Sequence, residues 1–200
     1  TITRYYNINT TTKDNRNVSN SYLWTYKKLN PFEKPDWTND LNIKKELDFL
    51  ENNYQKIHNL YNSRIDYMCV HPEQNTSVNK GTWKRIPILD VNGWNVKNEF
   101  IEELKKKINI AYNHGLIFFS KTVPNTEIKE HYGSTNLRIR LHLGIIVKDY
   151  NNTKLKVSDQ ILTWKENKVI AFDDSFLHSS YNNSEYERVV FIIDIFNPPV

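Results

Sequence analysis

After Gly115 the sequence becomes a close series of short, strand-like segments separated by turns rich in Asn, Asp and Ser. Runs of this kind, with β-branched and aromatic residues between turn residues, are typical of β-strands. They lie at 116–120, 128–130, 137–147, 154–157, 160–164, 168–172 and 188–196. Because no helical segment interrupts the series, it predicts an antiparallel sandwich or a jelly-roll barrel.

The chain before Gly115 has a different character. Residues 1–39 are polar and predict an irregular arm with one short strand near 22–26. Apolar residues at three- and four-residue spacing predict a helix over 41–62, with Asp40 as its N-cap. A second helix is predicted over 96–113, where Gly115 would end it.

Two further strands are predicted over 65–70 and 83–89, with a loop over 71–81 between them. The length of 200 residues suits one domain with a full core. We therefore predict a single domain over 1–200, in which 1–115 supply the arm, the helices and outer strands, and 116–200 supply the jelly-roll core.

Composition excludes several classes of protein. A single cysteine, Cys69, excludes a disulfide framework and a cysteine-rich metal site, and we expect it to be a small core residue. No apolar run approaches the length of about 18 residues that a membrane span needs. The net charge of +4 comes from residues 1–110, but no basic block is longer than Lys105–Lys107, so no nucleic-acid partner is expected. These features predict a soluble chain and favour the cytoplasm without excluding a lumenal or secreted location, while the oligomeric state stays unknown.

The strand at 137–147 carries polar residues on one face. Because side chains alternate, Arg138, Arg140 and His142 share a face. In an open sandwich this face would be exposed to solvent. In a barrel it would line a polar lumen in which the cationic side chains bind an anion. The last strand, 188–196, is almost wholly apolar, which indicates burial on both faces and favours the barrel.

Histidine and arginine supply the candidate chemistry. Two imidazoles from neighbouring strand ends would make half of an iron or zinc site. His131 and His142 each begin an H-x-G triplet, where non-haem iron oxygenases usually have H-x-D or H-x-E. On the residues alone, structural histidines are the favoured interpretation. Arg188 is placed to bind a carboxylate, but an ion pair with Glu185 or Glu187 is equally compatible.

Three blocks of the sequence closely resemble the aspartyl/asparaginyl β-hydroxylase family. They are HYGSTNLRIRLHLG at 131–144, WKENKVIAFDDSFLH at 164–178 and RVVFIIDIFNP at 188–198, with a weaker similarity at 81–85. The resemblance implies a mainly β protein with flanking helices, folded as a double-stranded β-helix of the cupin-like, jelly-roll type. It also implies an Fe(II)- and 2-oxoglutarate-dependent dioxygenase that consumes O2.

The resemblance also assigns the site. It implies that His131 and His178 hold the metal and are catalytic. It implies four contacts to 2-oxoglutarate: Arg140 and His142 at the C1 carboxylate, Arg188 and Ser120 at the C5 carboxylate. Animal members of the family carry H-x-G as the first metal motif, so the glycine at 133 is compatible with metal binding. Asp173 and Asp174 are expected to be structural.

The family implies hydroxylation of an unactivated C–H bond. The expected position is the β-carbon of an Asp or Asn residue in a peptide or protein, or of a related amino-acid substrate. One alternative is a dioxygenase that acts on a free or carrier-bound small molecule or on a lipid. Another is a non-catalytic jelly-roll binding module, which Gly133 motivates and the presence of Arg140, His142 and Arg188 opposes.

Other residues near the blocks receive simpler interpretations. His71 is expected in a surface loop, and His114 at a helix C-terminus, where it favours the helix dipole. Trp83 is expected to serve in packing, although with Lys84 and Arg85 it could line the mouth of a substrate pocket.

Overall fold

The structure is a computed structural model. It describes residues 2–5, 23–26, 43–133, 135 and 137–196. The predicted N-cap Asp40 and most of the predicted arm lie outside these residues.

Helices occupy a small part of the described chain. They are α1 (Lys44–Asn52), α2 (Tyr54–Ser63), a 3-10 turn (Ile65–Tyr67), α3 (Gln74–Ser77) and α4 (Glu99–Lys107). The strands are β1 (Ile2–Tyr5), β2 (Leu23–Tyr26), β3 (Cys69–Val70), β4 (Val78–Lys80), β5 (Trp83–Asp90), β6 (Gly93–Trp94), β7 (Ile117–Thr122), β8 (Thr126–His131), β9 (Arg138–Val147), β10 (Thr153–Val157), β11 (Gln160–Thr163), β12 (Val169–Phe172), β13 (His178–Asn182) and β14 (Arg188–Phe196).

Two antiparallel sheets carry the fold. The major sheet has the strand order β12-β9-β14-β7-β5-β3, with β6 paired to β5, and the minor sheet has the order β11-β10-β13-β8-β4. Strands β1 and β2 pair with each other. From β7 to β14 the strands alternate between the two sheets, apart from the hairpin β10–β11, as in a jelly roll. The predicted mainly β fold, a cupin-like double-stranded β-helix with flanking helices, is confirmed.

The central strand of the major sheet is buried from end to end. In β14 every residue from Arg188 to Ile195 is buried. Phe119 of the neighbouring β7 packs against Phe191 at 4.9 Å and against Tyr61 of α2 at 5.3 Å between ring centroids. Leu155 of the minor sheet belongs to the same apolar core. The helices and the minor sheet therefore cover the two faces of this strand, as its apolar sequence predicts.

The predicted helices are shorter in the structure. The first is interrupted at Asn53, whose φ and ψ are −103° and 14°. The second ends at Lys107 because Ile108 is extended, with φ −109° and ψ 135°. Beyond it Ile110 forms a β-bridge with Ile195. The predicted helical positions beyond 107 are wrong, since pairing with the buried β14 outweighs local helix propensity there.

Gly115 does not end a helix. A Cβ at this position would overlap the side chain of Asp194, so the glycine permits a close approach to β14. His114 therefore does not lie at a helix C-terminus, and its backbone carbonyl instead accepts a hydrogen bond from Arg138.

Three predictions around residue 70 are corrected. The predicted strand over 65–70 is a 3-10 turn followed by the short β3, and the predicted loop over 71–81 contains α3 and β4. Cys69 is exposed at the edge of the major sheet and is not a core residue. His71 is buried, because its ring stacks on Trp83.

Strand β13 is absent from the predicted series. Its sequence, HSSYN, is polar and has no apolar alternation, so the local pattern resembles a turn. It nevertheless lies in the middle of the minor sheet, between β10 and β8. Backbone hydrogen bonds to β10 on one side and to β8 on the other hold this polar segment in an extended conformation.

Candidate functional site

A pocket between the two sheets brings together all six residues that the resemblance assigns. They are Ser120, His131, Arg140, His142, His178 and Arg188. The remaining wall is largely apolar and includes Phe118, Phe172 and Ile192. A dry pocket of this kind strengthens the interactions of the few polar groups that point into it.

His131 and His178 face each other across two strands. They are paired in register between β8 and β13, and their ring centroids are 4.2 Å apart. A β-bulge follows His178 in this pairing. Bulges of this kind reorient side chains beside active sites.

The same hydrogen-bond pattern sets the tautomer of both rings. His131 Nδ1 lies 2.8 Å from the Lys129 carbonyl oxygen, and His178 Nδ1 lies 2.8 Å from that of Phe176. A carbonyl oxygen can only accept, so each Nδ1 carries the proton and each Nε2 carries a lone pair. Histidines that bind metals are usually held in this way.

The protonation state also suits a ligand. Burial, together with the neighbouring imidazole of His131, lowers the pKa of His178 to about 3. His178 is therefore neutral at physiological pH. Within the described ranges no group of three or more His, Cys, Asp or Glu residues is arranged to hold a metal ion.

Gly133 is held against Asp174. Its N–H donates to the Asp174 carbonyl, and a Cβ on Gly133 would lie only 2.5 Å from the Asp174 carboxylate. The space that a carboxylate at position 133 would need is thus already occupied. The H-x-G triplet is a steric consequence of the neighbouring Asp174.

Asp174 belongs to a buried ion-pair cluster that we call the balanced cluster: Arg138, Arg140, Asp174 and Asp194. Arg138 donates to Asp174 from Nε at 3.2 Å and from Nη2 at 2.7 Å. Arg140 donates to Asp194 at 2.8 and 2.9 Å and contacts Asp174 at 3.2 Å. Burial opposes ionisation of Asp174, but the two guanidiniums hold the pKa of its carboxyl well below the ordinary range.

The geometry of the balanced cluster bears on two predictions, namely the environment of the polar face of β9 and the role of Asp174. Arg138 and His142 are buried, so the face that they share with Arg140 lines the interior and does not meet solvent. Asp174 serves as a counterion, the structural role expected for it. Arg140 lines the pocket as predicted, yet two carboxylates already balance its charge.

Arg188 differs from the arginines of the balanced cluster. Its guanidinium is buried, and its Nε has no hydrogen-bond partner in the described part of the chain. Burial alone lowers the pKa of Arg188 to about 9. The alternative ion pair with Glu187 does not form, because Glu187 pairs with Lys121.

Ser120 extends the donor set of Arg188. Its Oγ accepts hydrogen bonds from Trp83 Nε1 at 2.9 Å and from Arg188 Nη1 at 3.4 Å. Because an indole and a guanidinium can only donate, the hydroxyl proton of Ser120 stays available to a further acceptor.

His142 supplies a third unused donor. Trp164 Nε1 donates to its Nδ1 at 3.2 Å, so the proton of the neutral ring lies on Nε2. Burial and the guanidiniums of Arg140 and Arg188 hold the pKa of His142 well below its ordinary value. Its buried Nε2 has no partner among the described residues. We call Ser120, His142, Trp164 and Arg188 the open cluster.

Two contributors to the site, Trp164 and Asp194, were missed in the sequence, and Trp83 was named only as a packing residue or part of the pocket mouth. Trp164 binds His142 and lies under Arg188, whose guanidinium carbon is 4.6 Å from the ring centroid. Asp194 is the polar interruption in the apolar last strand, and it balances Arg140. Trp83 holds Ser120 in addition to packing. The isolated aspartate in an apolar strand was the signal that could have identified Asp194.

Among the residues that the structure describes, no helix has the length and apolar character needed to cross a lipid bilayer.

Comparison with known proteins shows the family of the chain. Residues 39–198 match the family described as aspartyl/asparaginyl beta-hydroxylase. The chain is 46% identical over 80 residues to aspartate beta-hydroxylase domain-containing protein 2 of Rattus norvegicus, a match that covers 38% of this chain and 23% of that protein. It is 36% identical over 81 residues to the ornithine lipid ester-linked acyl 2-hydroxylase of Rhizobium tropici, covering 40% of this chain and 29% of that protein.

These matches span between about a fifth and a third of the length of the two relatives. Among solved structures, the chain is similar to a predicted oxalate decarboxylase from Thermotoga maritima, with a TM-score of 0.43 and 11% identity, over 64% of this chain and 91% of that one. The family match covers most of the sequence and includes every residue of the pocket. The chain belongs to the aspartyl/asparaginyl β-hydroxylase family.

Proposed function

We propose that the protein is an Fe(II)- and 2-oxoglutarate-dependent dioxygenase that hydroxylates an unactivated C–H bond. The observation that carries the proposal is one pocket holding two Nε2 lone pairs beside three hydrogen-bond donors for which the described residues supply no acceptor. The first set suits a metal ion and the second suits an anion. Family membership supports a hydroxylase reaction.

His131 and His178 would hold the metal. Their Nδ1–H groups are bound to backbone carbonyls, so both rings are oriented before a metal binds. Imidazole nitrogen suits Fe(II), and two protein ligands leave several positions for other ligands. When bound, Fe(II) with 2-oxoglutarate and O2 supplies the oxidising chemistry, which yields hydroxylated product, succinate and CO2.

The open cluster would hold 2-oxoglutarate. Arg188 and Ser120 present donors to one carboxylate, the C5 end, and His142 presents Nε2–H to the C1 end. Arg140 lines the same pocket, and a free N–H edge of its guanidinium would contact the C1 carboxylate as well. A dicarboxylate would satisfy buried donors that have no partner among the described residues, and an unpaired buried donor is unfavourable in a protein interior.

The proposed substrate is an Asp or Asn residue in a peptide or protein, or a related amino-acid compound. Its β-carbon would be hydroxylated. The support is the family name and the similarity to the aspartate beta-hydroxylase domain-containing protein of rat. A lipid acyl chain is the second candidate, because the Rhizobium tropici relative is named for 2-hydroxylation of an ester-linked acyl group.

The test is anaerobic binding of Fe(II) and 2-oxoglutarate, followed by succinate formation once O2 is admitted. We expect His178→Ala to abolish metal binding and succinate formation. Arg188→Ala should weaken 2-oxoglutarate binding much more than metal binding. Unchanged succinate formation in His178→Ala would refute the metal assignment, and a selective loss of metal affinity in Arg188→Ala would refute the cosubstrate assignment.

His58→Ala is the matched control, since His58 lies on α2 and contacts Tyr54 and Asn62 outside the pocket. It removes an imidazole without changing the site, so metal binding should stay within twofold. Incubation with peptide, amino-acid and lipid libraries, read as a mass gain of one oxygen atom, would identify the substrate class.

A further inference from the structure

Ser180 lies on the inner face of the minor sheet. In β13 it is paired with Leu155 of β10 and with Ile128 of β8, and all three residues line the pocket between the sheets. Residues directly opposite on antiparallel strands project to the same face. The extra residue of the bulge after His178 lies in β8, so side chains still alternate along β13. Ser180 therefore faces the pocket, as His178 does two residues before it.

The hydroxyl of Ser180 is buried and unused in the described part of the chain. Only 8% of the residue is exposed, and none of the described residues forms a hydrogen bond with its Oγ. By contrast, the buried hydroxyls of Thr153 and Ser184 both have partners. A buried hydroxyl without a partner is unfavourable. A ligand in the pocket would supply the missing acceptor.

Ser180 stands between the imidazole pair and the end of the pocket that holds Arg188. Two residues beyond it, Asn182 donates from Nδ2 to the carbonyl oxygens of Thr122 and of the residue after it, at 3.4 and 3.1 Å. Thr122 is in turn paired with Arg188. The last residues of β13 therefore abut the end of the major sheet that carries Arg188, while His178 begins β13 at the other end.

The spacing along β13 suits a five-carbon dicarboxylate. A strand rises by about 3.3 Å per residue, so Ser180 lies roughly 6.6 Å beyond His178. In extended 2-oxoglutarate the distance from C1 to C5 is roughly 5 Å, because four carbon–carbon bonds of about 1.5 Å separate them. A molecule whose C1 end lies beside the imidazoles would thus bring its C5 carboxylate to the level of Ser180.

The opposite wall leaves part of that carboxylate unbound. All four cosubstrate contacts that the resemblance implies belong to the major sheet, so Arg188 and Ser120 approach the C5 carboxylate from one side. A carboxylate can accept about four hydrogen bonds. On the other side, Ser180 can donate to it, whereas the side chains of its partners Ile128 and Leu155 cannot. No Asp or Glu among the described residues lines the pocket, so the acceptor has to come with the ligand.

We propose that Ser180 donates its hydroxyl proton to the C5 carboxylate of 2-oxoglutarate, from the sheet opposite to Arg188 and Ser120. This inference rests on the proposed function and adds a specificity-determining residue that the resemblance does not assign. The bound carboxylate would connect the two sheets. A keto acid of equal length without this carboxylate would leave the hydroxyl of Ser180 unpaired, so Ser180 contributes to the selection of the cosubstrate.

The experiment compares 2-oxoglutarate with 2-oxovalerate, which has the same five-carbon chain but no C5 carboxylate. Each is titrated into the metal-free, ¹⁵N-labelled full chain in the presence of EDTA, and binding is followed at the indole N–H of Trp83, which donates to Ser120. We expect Ser180→Ala to weaken 2-oxoglutarate binding about tenfold, the effect of one hydrogen bond to a charged group. Binding of 2-oxovalerate should stay within twofold. Ser180→Thr retains the hydroxyl and should keep most of the affinity for 2-oxoglutarate.

Tyr181→Phe is the matched control, because it removes a hydroxyl from the next residue, which is exposed on the outer face of the minor sheet. It should leave the affinity for 2-oxoglutarate within twofold of wild type. A similarly small change in Ser180→Ala would overturn the proposal. So would equal losses in Ser180→Ala and Ser180→Thr, equal losses for the two keto acids, or a wild type that does not bind 2-oxoglutarate.

The outcome is separable from that of the proposed function. Fe(II) binding and succinate formation are measured independently of the metal-free titration. If they fail while 2-oxoglutarate binding still depends on Ser180, the dioxygenase proposal falls and the dicarboxylate site stands. If they succeed and Ser180→Ala binds 2-oxoglutarate like the wild type, the dioxygenase proposal stands and the role of Ser180 falls.

Discussion

The balanced cluster and the open cluster use the same residue type in opposite ways. In the balanced cluster Arg138 and Arg140 are matched by Asp174 and Asp194. In the open cluster Arg188 is just as buried, yet within the residues that the structure describes it contacts a hydroxyl and an aromatic ring and no carboxylate.

The difference separates structural charge from charge kept for a ligand. A buried ion pair that is complete contributes to the specific arrangement of a site, whereas a buried cation without an anion reduces stability until a ligand binds. Residue type and burial do not distinguish the two cases. The two cases are distinguished by whether a carboxylate contacts the arginine.

The largest effect is expected when the balanced cluster loses a carboxylate. Asp194→Asn leaves the buried Arg140 without its bidentate partner. We expect the free energy of unfolding, measured by urea denaturation, to fall by about 3–5 kcal/mol. Asp48→Asn is the control, because its exposed pair with Lys44 should be worth about 0.5 kcal/mol or less. A loss no larger than that of the control would contradict this account of the balanced cluster.

The open cluster should respond in the opposite way. Arg188→Met removes a buried charge that pairs with no anion in the described ranges, so the free energy of unfolding should stay within about 1 kcal/mol of wild type or rise. The affinity for 2-oxoglutarate, measured by calorimetry, should fall about a hundredfold. Arg138→Met provides the contrast, since it leaves Asp174 with one partner fewer and should destabilise the fold. Similar losses of stability in the two variants would remove the distinction between the clusters.

Gly133 tests how closely the balanced cluster is packed. In Gly133→Ala the new Cβ would lie 2.5 Å from the Asp174 carboxylate, so the ion pair must shift. We expect a loss of about 1–3 kcal/mol in thermal or urea unfolding, the usual effect of overpacking. In Asp174→Gly the obstruction is absent, and adding Gly133→Ala there should cost much less. Equal costs in both backgrounds would show that the clash is not with Asp174.

Trp164 should give the smallest effect. Trp164→Phe keeps an aromatic ring under Arg188 and removes the indole N–H that fixes the His142 tautomer. The loss of one neutral hydrogen bond is worth about 1 kcal/mol, so 2-oxoglutarate should bind several-fold more weakly. An affinity equal to wild type would show that the tautomer of His142 is set without Trp164.

Much of the architecture could be predicted because it depends on local patterns. The apolar run at 188–196 predicted a strand that is covered on both faces, and the alternation at 137–147 put Arg140 and His142 on one face. The family resemblance named six residues, and the pocket contains all of them. Their roles as metal and cosubstrate contacts stay predictions.

Other features depend on partners that are distant in sequence. HSSYN becomes a strand because β10 and β8 supply hydrogen bonds on both sides. The helix after Glu99 ends early because Ile110 bridges to Ile195. Local propensity is too weak to decide such cases against buried pairing.

By itself, the sequence determined which side chains are available and on which face of each strand they lie, because alternation along a strand is a local property. Only the tertiary structure decided which charges are balanced: Arg140 meets Asp194, 54 positions away, while Arg188 meets no carboxylate within the described part of the chain. It also decided the tautomers, since those depend on which carbonyl or indole faces each ring. The physical reason is that sheet register and burial, set by the whole chain, choose the partner of every buried polar group.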